Sequence, residues 1–420
     1  MQIHRLALKN FKCFKEVDVS FSKITLLTGE NSSGKSSLIY GILAPLQSVN
    51  PYNNSFPLHL SLNGVYVNMG GFEEVSFNHN LNNQIEIKLM LSIDSSIDID
   101  QFNTVWSFDI TTKSPSLYYL KIIDSIREIE IVKQENDSYN LKHIKLENAN
   151  NHIKDDYELN DAPYSSAILS QTFNQLNDLV NDDYYSGDIA DGIEQYLIVN
   201  FNFISSFRLQ PDRTYYQSLT SNKIDKFGGG YIDQILDWND NQSEELFKLA
   251  AILKELKMLY DVKPHRLSGG RFEIKVRVKS RGKWESLADV GFGISQFLPI
   301  IVADLQLRDD STLIMSQPEI HLHPSVQANL GDYLVKQVKE RNKNYIVETH
   351  SEYLLNRMRL LIVKGEIQPE DVAVYYFENS VKNGSIAHRI EFTKDGQILN
   401  APKGFFETYM IDTMDIALNA

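Results

Sequence analysis

A glycine-rich segment near the N-terminus has the residue types and spacing that hold a phosphate group. It lies between the apolar run KITLLTG at 23–29 and the helical pattern SSLIYGILAPLQSV at 36–49, and this strand–loop–helix context distinguishes a phosphate-binding loop from a chance glycine turn. Glycines let the backbone wrap closely around phosphate oxygens, and N–H groups at the start of the helix attract the anion. We expect nucleotide contacts from Gly29, Asn31, Ser32, Ser33, Gly34, Lys35, Ser36 and Ser37.

Two residues of this loop have distinct expected roles. The ammonium group of Lys35 would reach the β- and γ-phosphates, and the hydroxyl of Ser36 would bind Mg²⁺. The sequence therefore predicts a site for ATP and Mg²⁺.

Further candidate motifs lie in the C-terminal third, where strand and helix patterns alternate and imply parallel strands. These motifs are Val290–Gln296, Pro318–Pro324 and Glu348–Ser351. Together with the phosphate loop and the opening I-x-x-L-x-L-K-N-F-K-x-F at 3–14, they resemble, in order, the ABC-type ATPase heads of the SMC, RecF and OLD-like group. More narrowly, the chain resembles stand-alone bacterial AAA-family ATPases related to OLD proteins, and the resemblance is weak from about 90 to 200.

The resemblance implies an α/β P-loop NTPase fold with a mixed, largely parallel core sheet, an antiparallel β-subdomain and a helical insertion. We expect a first lobe at 1–133, a variable and largely helical insertion at 134–260, and a second lobe at 261–420. Patterns at 167–180 and 231–260 favour helices, and alternation in QIEIKLMLSIDSS and its successors favours an antiparallel sheet. The aromatic residues of the tail, Phe405 and Phe406, are expected to pack on the last strands.

The signature motif of such heads opens a helix and faces the γ-phosphate held by a partner subunit. The resemblance assigns this role to Gly291, Gly293, Ser295 and Gln296, with Ser295 donating its hydroxyl and N–H across a homodimer; the alternative is a glycine turn with Ser295 as a simple N-cap. A literal LSGG occurs at 267–270, but the alternating strand FEIKVRV follows it, so it offers no helix N-terminus to a phosphate.

In the ATPases that this chain resembles, the apolar strand that corresponds to the run beginning at Thr312 ends in an acidic pair. Here those two positions are Ser316 and Gln317. A glutamine amide cannot act as a general base, and a serine hydroxyl interacts with a Mg²⁺-bound water more weakly than a carboxylate. Three explanations remain open: slow hydrolysis with ATP as a dimerising switch, chemistry taken over by Glu319 or by His321 and His323, or an engineered replacement of glutamate by Gln317.

The resemblance places His350, after the buried run YIVET, beside the γ-phosphate. The catalytic candidates are thus Gln317, Glu319 and His350, and the metal candidates are Ser36 and Ser316. A zinc site at His321 and His323 is the weaker interpretation, since no further ligands occur at a recognisable spacing. Gln47 is interpreted as structural, while the arginines of FRLQPDR at 207–213 suit either a phosphate or a salt-bridged loop.

Composition excludes several classes of protein. The chain has 420 residues, 42% of them hydrophobic, and no apolar run approaches the ~20 residues of a membrane helix. A net charge of −14 argues against a uniformly nucleic-acid-coating surface, so DNA contact would need a local basic patch. Cys13 alone cannot form an internal disulfide. We expect a cytoplasmic protein without a signal peptide.

These observations predict a dimeric ATP-gated switch or scaffold. The resemblance suggests anti-phage defence with a separate, nuclease-like effector subunit, because we expect no TOPRIM domain within the chain. The alternatives are a RecF-like repair ATPase that binds DNA, and a nucleotide-binding scaffold without turnover.

Overall fold

The structure is a computed structural model that describes residues 1–48, 60–92, 98–124, 127–134, 139–147, 151–159, 197–218, 223–380, 384–402 and 405. The chain divides into two compact units. The N-terminal unit comprises Met1–Phe21, Ser32–Ile198 and Glu378–Ile386, and the core unit comprises Ser22–Asn31, Val199–Phe377 and Ala387–Ala420.

The N-terminal unit is built on antiparallel strands. Their order across the sheet is β2-β1-β4-β5-β6-β7-β8-β9, with bounds β1 (Gln2–Phe11), β2 (Phe14–Ser20), β4 (Ile85–Ser92), β5 (Asp98–Asp109), β6 (Ser114–Asp124), β7 (Arg127–Lys133), β8 (Tyr139–Glu147) and β9 (Asn151–Leu159). Alternate residues of β4 are buried, as expected for a sheet with one face on the core. Helix α1 (Lys35–Ser48) lies close to β1, since a Cβ on Gly41 would lie 2.7 Å from Leu8 Cδ1. A short helix α2 (Phe72–Val75) lies in the same unit.

The core unit contains a parallel sheet of largely buried apolar strands. The strands are β3 (Ile24–Gly29), β10 (Phe201–Ile204), β15 (Thr312–Ser316), β16 (Asn344–Glu348) and β17 (Val372–Ser380), in the order β10-β15-β16-β3-β17. Every residue of β10, β15 and β16 is buried, which is the pattern of parallel strands covered on both faces. The motifs of the C-terminal third therefore follow neighbouring strands of one sheet.

Helices and a small antiparallel sheet complete the core unit. The helices are α3 (Tyr231–Asp240), α4 (Glu244–Glu255), α5 (Phe292–Gln306), α6 (Pro324–Arg341) and α7 (Glu352–Val363). The further strands are β11 (Tyr215–Tyr216), β12 (Asp261–Arg266), β13 (Arg271–Arg277), β14 (Glu285–Ser286), β18 (Gly384–Phe392) and β19 (Ile398–Leu399). Apolar side chains of these helices pack with those of β3, β15 and β16 into one buried cluster.

A buried ionic network fixes helix α5. Asp304 and Lys343 are both almost completely buried, and Lys343 Nζ lies 3.0 Å from Asp304 Oδ1. The hydroxyl of Tyr345 donates to the same oxygen at 3.0 Å, and the hydroxyl of Tyr333 donates to the other oxygen. Because each charge has a partner, α5 is tied to α6 and β16 by polar as well as apolar contacts.

The mixed α/β architecture agrees with the expected fold, and one region differs in detail. The predicted helices at 231–260 are present as α3 and α4. The polar segment at 139–159 instead forms strands β8 and β9, while the helical pattern at 167–180 lies outside the described residues. No helix in the described ranges has the length and apolar character needed to cross a membrane.

Candidate functional site

The phosphate loop has the backbone geometry that its glycines allow. Gly29 has φ +132° and Gly34 has φ +104°, while Ser32 has φ 60°. A Cβ on Gly29 would lie 2.2 Å from the carbonyl oxygen of Phe377 on β17, so only glycine fits this approach. Helix α1 begins directly after the loop at Lys35. The sequence predicted this strand–loop–helix arrangement, and the structure has it.

The carboxyl ends of four parallel strands lie side by side at this loop. Ser316 of β15 pairs with Glu348 of β16, Glu348 pairs with Leu27 of β3, and Gly29 pairs with Phe377 of β17. The crevice beyond the carboxyl ends of parallel strands is where open α/β sheets bind ligands.

A cleft of about 210 Å³ opens at these strand ends within the core unit. It is lined by Thr28, Gly29, Glu30, His350, Glu352, Leu355, Tyr376 and Phe405. His350 is exposed, and the cleft brings it together with the start of the phosphate loop. Phe405 packs edge-on against Tyr376 with ring centroids 5.8 Å apart, which confirms the expected packing of the tail for this residue; Phe406 lies outside the described residues.

The end of the strand that lacks the acidic pair is held through its backbone. Gln317 has a left-handed φ of 46°, and its N–H donates to the carbonyl of Glu348 at 2.6 Å. The guanidinium of Arg208 donates to the carbonyl of Gln317 at 3.1 Å and to that of Ser316 at 3.5 Å. These contacts fix the backbone at Ser316 and Gln317. Neither of the two side chains carries a charge, as the sequence implies.

Glu319 is a buried carboxylate beside His350. Its Oε1 accepts the N–H of His350 at 2.6 Å, and its side chain is 8% exposed. Burial raises the pKa of Glu319, while the charge of Arg208 opposes the rise. Burial in turn lowers the pKa of Arg208 to about 10. The second oxygen, Oε2, is buried and has no hydrogen-bond partner among the described residues.

The signature residues lie inside helix α5, which starts earlier than the sequence suggested. Gly291 is the exposed N-cap and Phe292 the first helical residue. Ser295 is 1% exposed, and its hydroxyl donates to the carbonyl of Phe292 at 2.9 Å. It is therefore neither an N-cap nor, in this structure, a free donor. The side chain of Gln296 points inward and donates to the carbonyls of Arg208 and Leu209, both at 3.3 Å.

Gly293 allows this helix to approach the neighbouring loop. A Cβ at Gly293 would lie 2.4 Å from the carbonyl oxygen of His321. The ring of His321 also lies edge-on to Phe292, with centroids 4.8 Å apart. The exposed surface at the signature turn therefore consists of Gly291, Phe292 and His321.

The literal LSGG precedes a strand, as expected, and forms a hairpin turn. It lies in the connection between β12 and β13, which pair antiparallel, and the N–H of Leu267 donates to the carbonyl of Arg271 at 2.8 Å. Gln47 is structural, as expected: its amide donates to the carbonyl of Ser61 at 2.6 Å and accepts from the N–H of Val67 at 3.0 Å.

The two histidines after Gln317 do not lie on a strand. They lie on a turn, where His321 has φ 64° and His323 caps α6 by accepting the N–H of Ser325 at 3.3 Å. Across the part of the chain that the structure describes, no group of three or more His, Cys, Asp or Glu side chains could hold a metal ion.

Two family models match this chain. Residues 1–355 match the model of the AAA ATPase domain family, and residues 367–416 match a family described as a protein of unknown function, DUF3696. The chain therefore belongs to the AAA ATPase domain family. No curated protein matches the sequence.

Three solved structures similar to this chain are SMC head domains. The head from Thermotoga maritima is 12% identical, with a TM-score of 0.41, and covers 92% of this chain and 98% of its own. An SMC head bound to the C-winged helix domain of ScpA is 13% identical, with a TM-score of 0.46 and coverages of 94% and 99%. An SMC head with an extended coiled coil, bound to the C-terminal domain of ScpA derived from Pyrococcus furiosus, is 12% identical, with a TM-score of 0.45 and coverages of 99%.

The sequence did not predict the buried contacts of Arg208 with the carbonyls of Ser316 and Gln317. Of the two arginines in FRLQPDR, Arg213 forms an exposed ion pair with Asp289, while Arg208 is buried at the end of β15. The available signal was an arginine four residues after the end of the buried strand β10.

Proposed function

We propose that this chain is an ATP-gated switch in which two copies enclose two ATP molecules. Membership of the AAA ATPase domain family supports ATP as the ligand. The observation that carries the proposal is the cleft at the ends of β3, β16 and β17, where the phosphate loop and His350 meet. Each ATP would lie on the phosphate loop of one protomer and be covered by the exposed turn at Gly291 and Phe292 of the other.

The roles within the site follow from the charges that a triphosphate brings. Lys35 and the N-terminus of α1 would neutralise the β- and γ-phosphates, and His350 would donate a hydrogen bond to the γ-phosphate. Gly29, Asn31, Ser32, Ser33, Gly34 and Ser37 would supply backbone and hydroxyl contacts.

Mg²⁺ fits the oxygen donors of this site. The hydroxyl of Ser36 would hold it together with phosphate oxygens and water, because Mg²⁺ commonly keeps several waters and uses few protein ligands. When bound, the ion supplies charge neutralisation between the β- and γ-phosphates.

We propose slow hydrolysis, so that ATP acts mainly to join the two protomers. The side chain of Gln317 cannot take a proton from water, and its backbone is fixed by Glu348 and Arg208. Glu319 is the carboxylate that lies beside His350, and we assign it the role of proton acceptor for the residual turnover.

Three measurements on the full chain test this proposal. A fluorescent ATP analogue should bind the wild type and the Lys336→Ala control, whose side chain lies exposed on α6, and should bind Lys35→Ala more weakly by at least about tenfold. Sedimentation should show a dimer with ATP and a monomer without it. Phosphate release should be slow and should rise in Gln317→Glu. Unchanged affinity in Lys35→Ala would refute the proposal.

The biological setting is proposed from the sequence resemblance: anti-phage defence in the cytoplasm, with a separate effector protein. The net charge of −14 favours a protein effector over extensive DNA contact. Purification from the native host should then yield a stoichiometric complex with that effector. A DNA affinity that rises with ATP and falls steeply with salt would instead support the RecF-like alternative.

A further inference from the structure

Arg208 lies at the centre of a polar network that connects the signature turn with the γ-phosphate side of the cleft. Its carbonyl accepts from the side chain of Gln296 at 3.3 Å. Its guanidinium donates to the carbonyls of Ser316 and Gln317 at 3.5 and 3.1 Å. Its side chain is 3% exposed, so these contacts are made out of water, where polar contacts are strong and hard to replace.

Glu319 continues the network from Arg208 to His350. It lies two residues after Gln317, whose carbonyl Arg208 contacts, and its Oε1 accepts the N–H of His350 at 2.6 Å. Two buried atoms of the network, Glu319 Oε2 and Arg208 Nε, have no hydrogen-bond partner in the described part of the chain. A buried polar atom without a partner costs free energy.

We propose that Arg208 is a positioning residue that couples the signature turn of a protomer to its own His350. Its carbonyl contacts Gln296 in the first turns of α5, which would cover the ATP of the partner subunit. Through Ser316, Gln317 and Glu319 it sets the backbone of His350 at its own ATP. Closure of one interface would thereby align the γ-phosphate contact of the other. Only the ATP-dependent part of this inference rests on the proposed function.

An arginine suits this role for geometric reasons. Its planar guanidinium donates to two carbonyls at once and keeps its charge when buried, whereas lysine offers a single charged point. Arg208→Lys therefore retains the positive charge and loses the double contact with the carbonyls, and Arg208→Gln loses both. Arg357, which pairs with Asp332 between α7 and α6, lies outside the network and provides the control Arg357→Gln.

The first test needs no nucleotide and uses hydrogen–deuterium exchange of the full chain. Arg208→Gln should speed exchange at the amide of His350 by about tenfold, the loss expected for one charge-assisted hydrogen bond, while Arg208→Lys should show a smaller change. Adding Glu319→Gln to Arg208→Gln should produce no further change, because both act through one network. Exchange at the amides of β13 should be the same in Arg208→Gln as in the control Arg357→Gln.

The second test measures ATP-dependent dimer formation. In Arg208→Gln the monomer should bind the fluorescent analogue within about twofold of wild type, while the protein concentration that gives half dimer rises by about tenfold. Arg208→Lys should recover part of this loss. A wild type that neither binds ATP nor dimerises would refute the proposed function, and the exchange experiment would still decide the role of Arg208. Unchanged exchange at His350, or an equal rise at β13, would overturn the inference.

Discussion

Gly29→Ala should disable the phosphate loop more severely than its small size suggests. Gly29 adopts φ +132°, a region that costs an alanine on the order of 1–3 kcal/mol. The new Cβ would also lie 2.2 Å from the carbonyl oxygen of Phe377, where ordinary contact begins at 3.4 Å. Strand β17 would have to retreat by about 1 Å, which removes a ladder hydrogen bond worth about 1 kcal/mol.

The combined cost of about 3 kcal/mol corresponds to roughly a 100-fold loss of affinity if the loop distorts to relieve it. Gly365→Ala is the matched control, because Gly365 has φ +72° but nothing within 4 Å of an added Cβ. That change should cost about 1 kcal/mol of stability and leave binding unaltered. Equilibrium titration with a fluorescent ATP analogue, with thermal unfolding measured in parallel, checks both. Equal affinities in the two variants would refute the reasoning.

Three further predictions concern the core unit. Lys343→Met should lower the free energy of unfolding by about 3–5 kcal/mol, because the carboxylate of Asp304 would remain buried without its cation; an unchanged thermal midpoint would contradict this. Ser268→Arg, in the exposed LSGG turn, should leave nucleotide affinity within about twofold of wild type, and a large loss would restore that motif as a candidate. The raised pKa of Glu319 makes a favourable contribution that is fully present below the ordinary value of 4.5 and is lost as pH rises through the folded-state pKa. The thermal midpoint of Glu319→Gln should therefore increase relative to that of the wild type as pH rises from 4.5. A difference between the two midpoints that stays constant with pH would argue against a raised pKa.

The parts of the site that were predictable from sequence depend on contacts between near neighbours in the chain. The phosphate loop is defined within eight residues, and its flanking strand and helix confirm it. The LSGG segment could be rejected because a strand pattern follows it directly. In both places the deciding information is local, so spacing alone is sufficient.

The features that escaped prediction depend on contacts between distant segments. The N-cap alternative for Ser295 was wrong, because α5 begins at Phe292 and places Ser295 within the helix, where its hydroxyl donates to the carbonyl of Phe292. The edge-on contact between His321 and Phe292 was not predicted, because the two residues lie on separate segments of the chain. The place of Arg208 between Gln296 and Gln317 depends on segments about a hundred residues apart, which no local pattern encodes.

The position of β3 in its sheet has a consequence for how the protein is made. Ile24, near the start of the chain, pairs with Tyr345 on one side and Val372 on the other. At the usual rates of synthesis, the ribosome needs roughly 15 to 65 seconds to supply the first of these partners after β3 has emerged. During that interval the apolar strand β3 lacks both of its neighbouring strands, β16 and β17. Nascent chains halted before residue 345 should therefore bind chaperones and resist folding, however intact their phosphate loop.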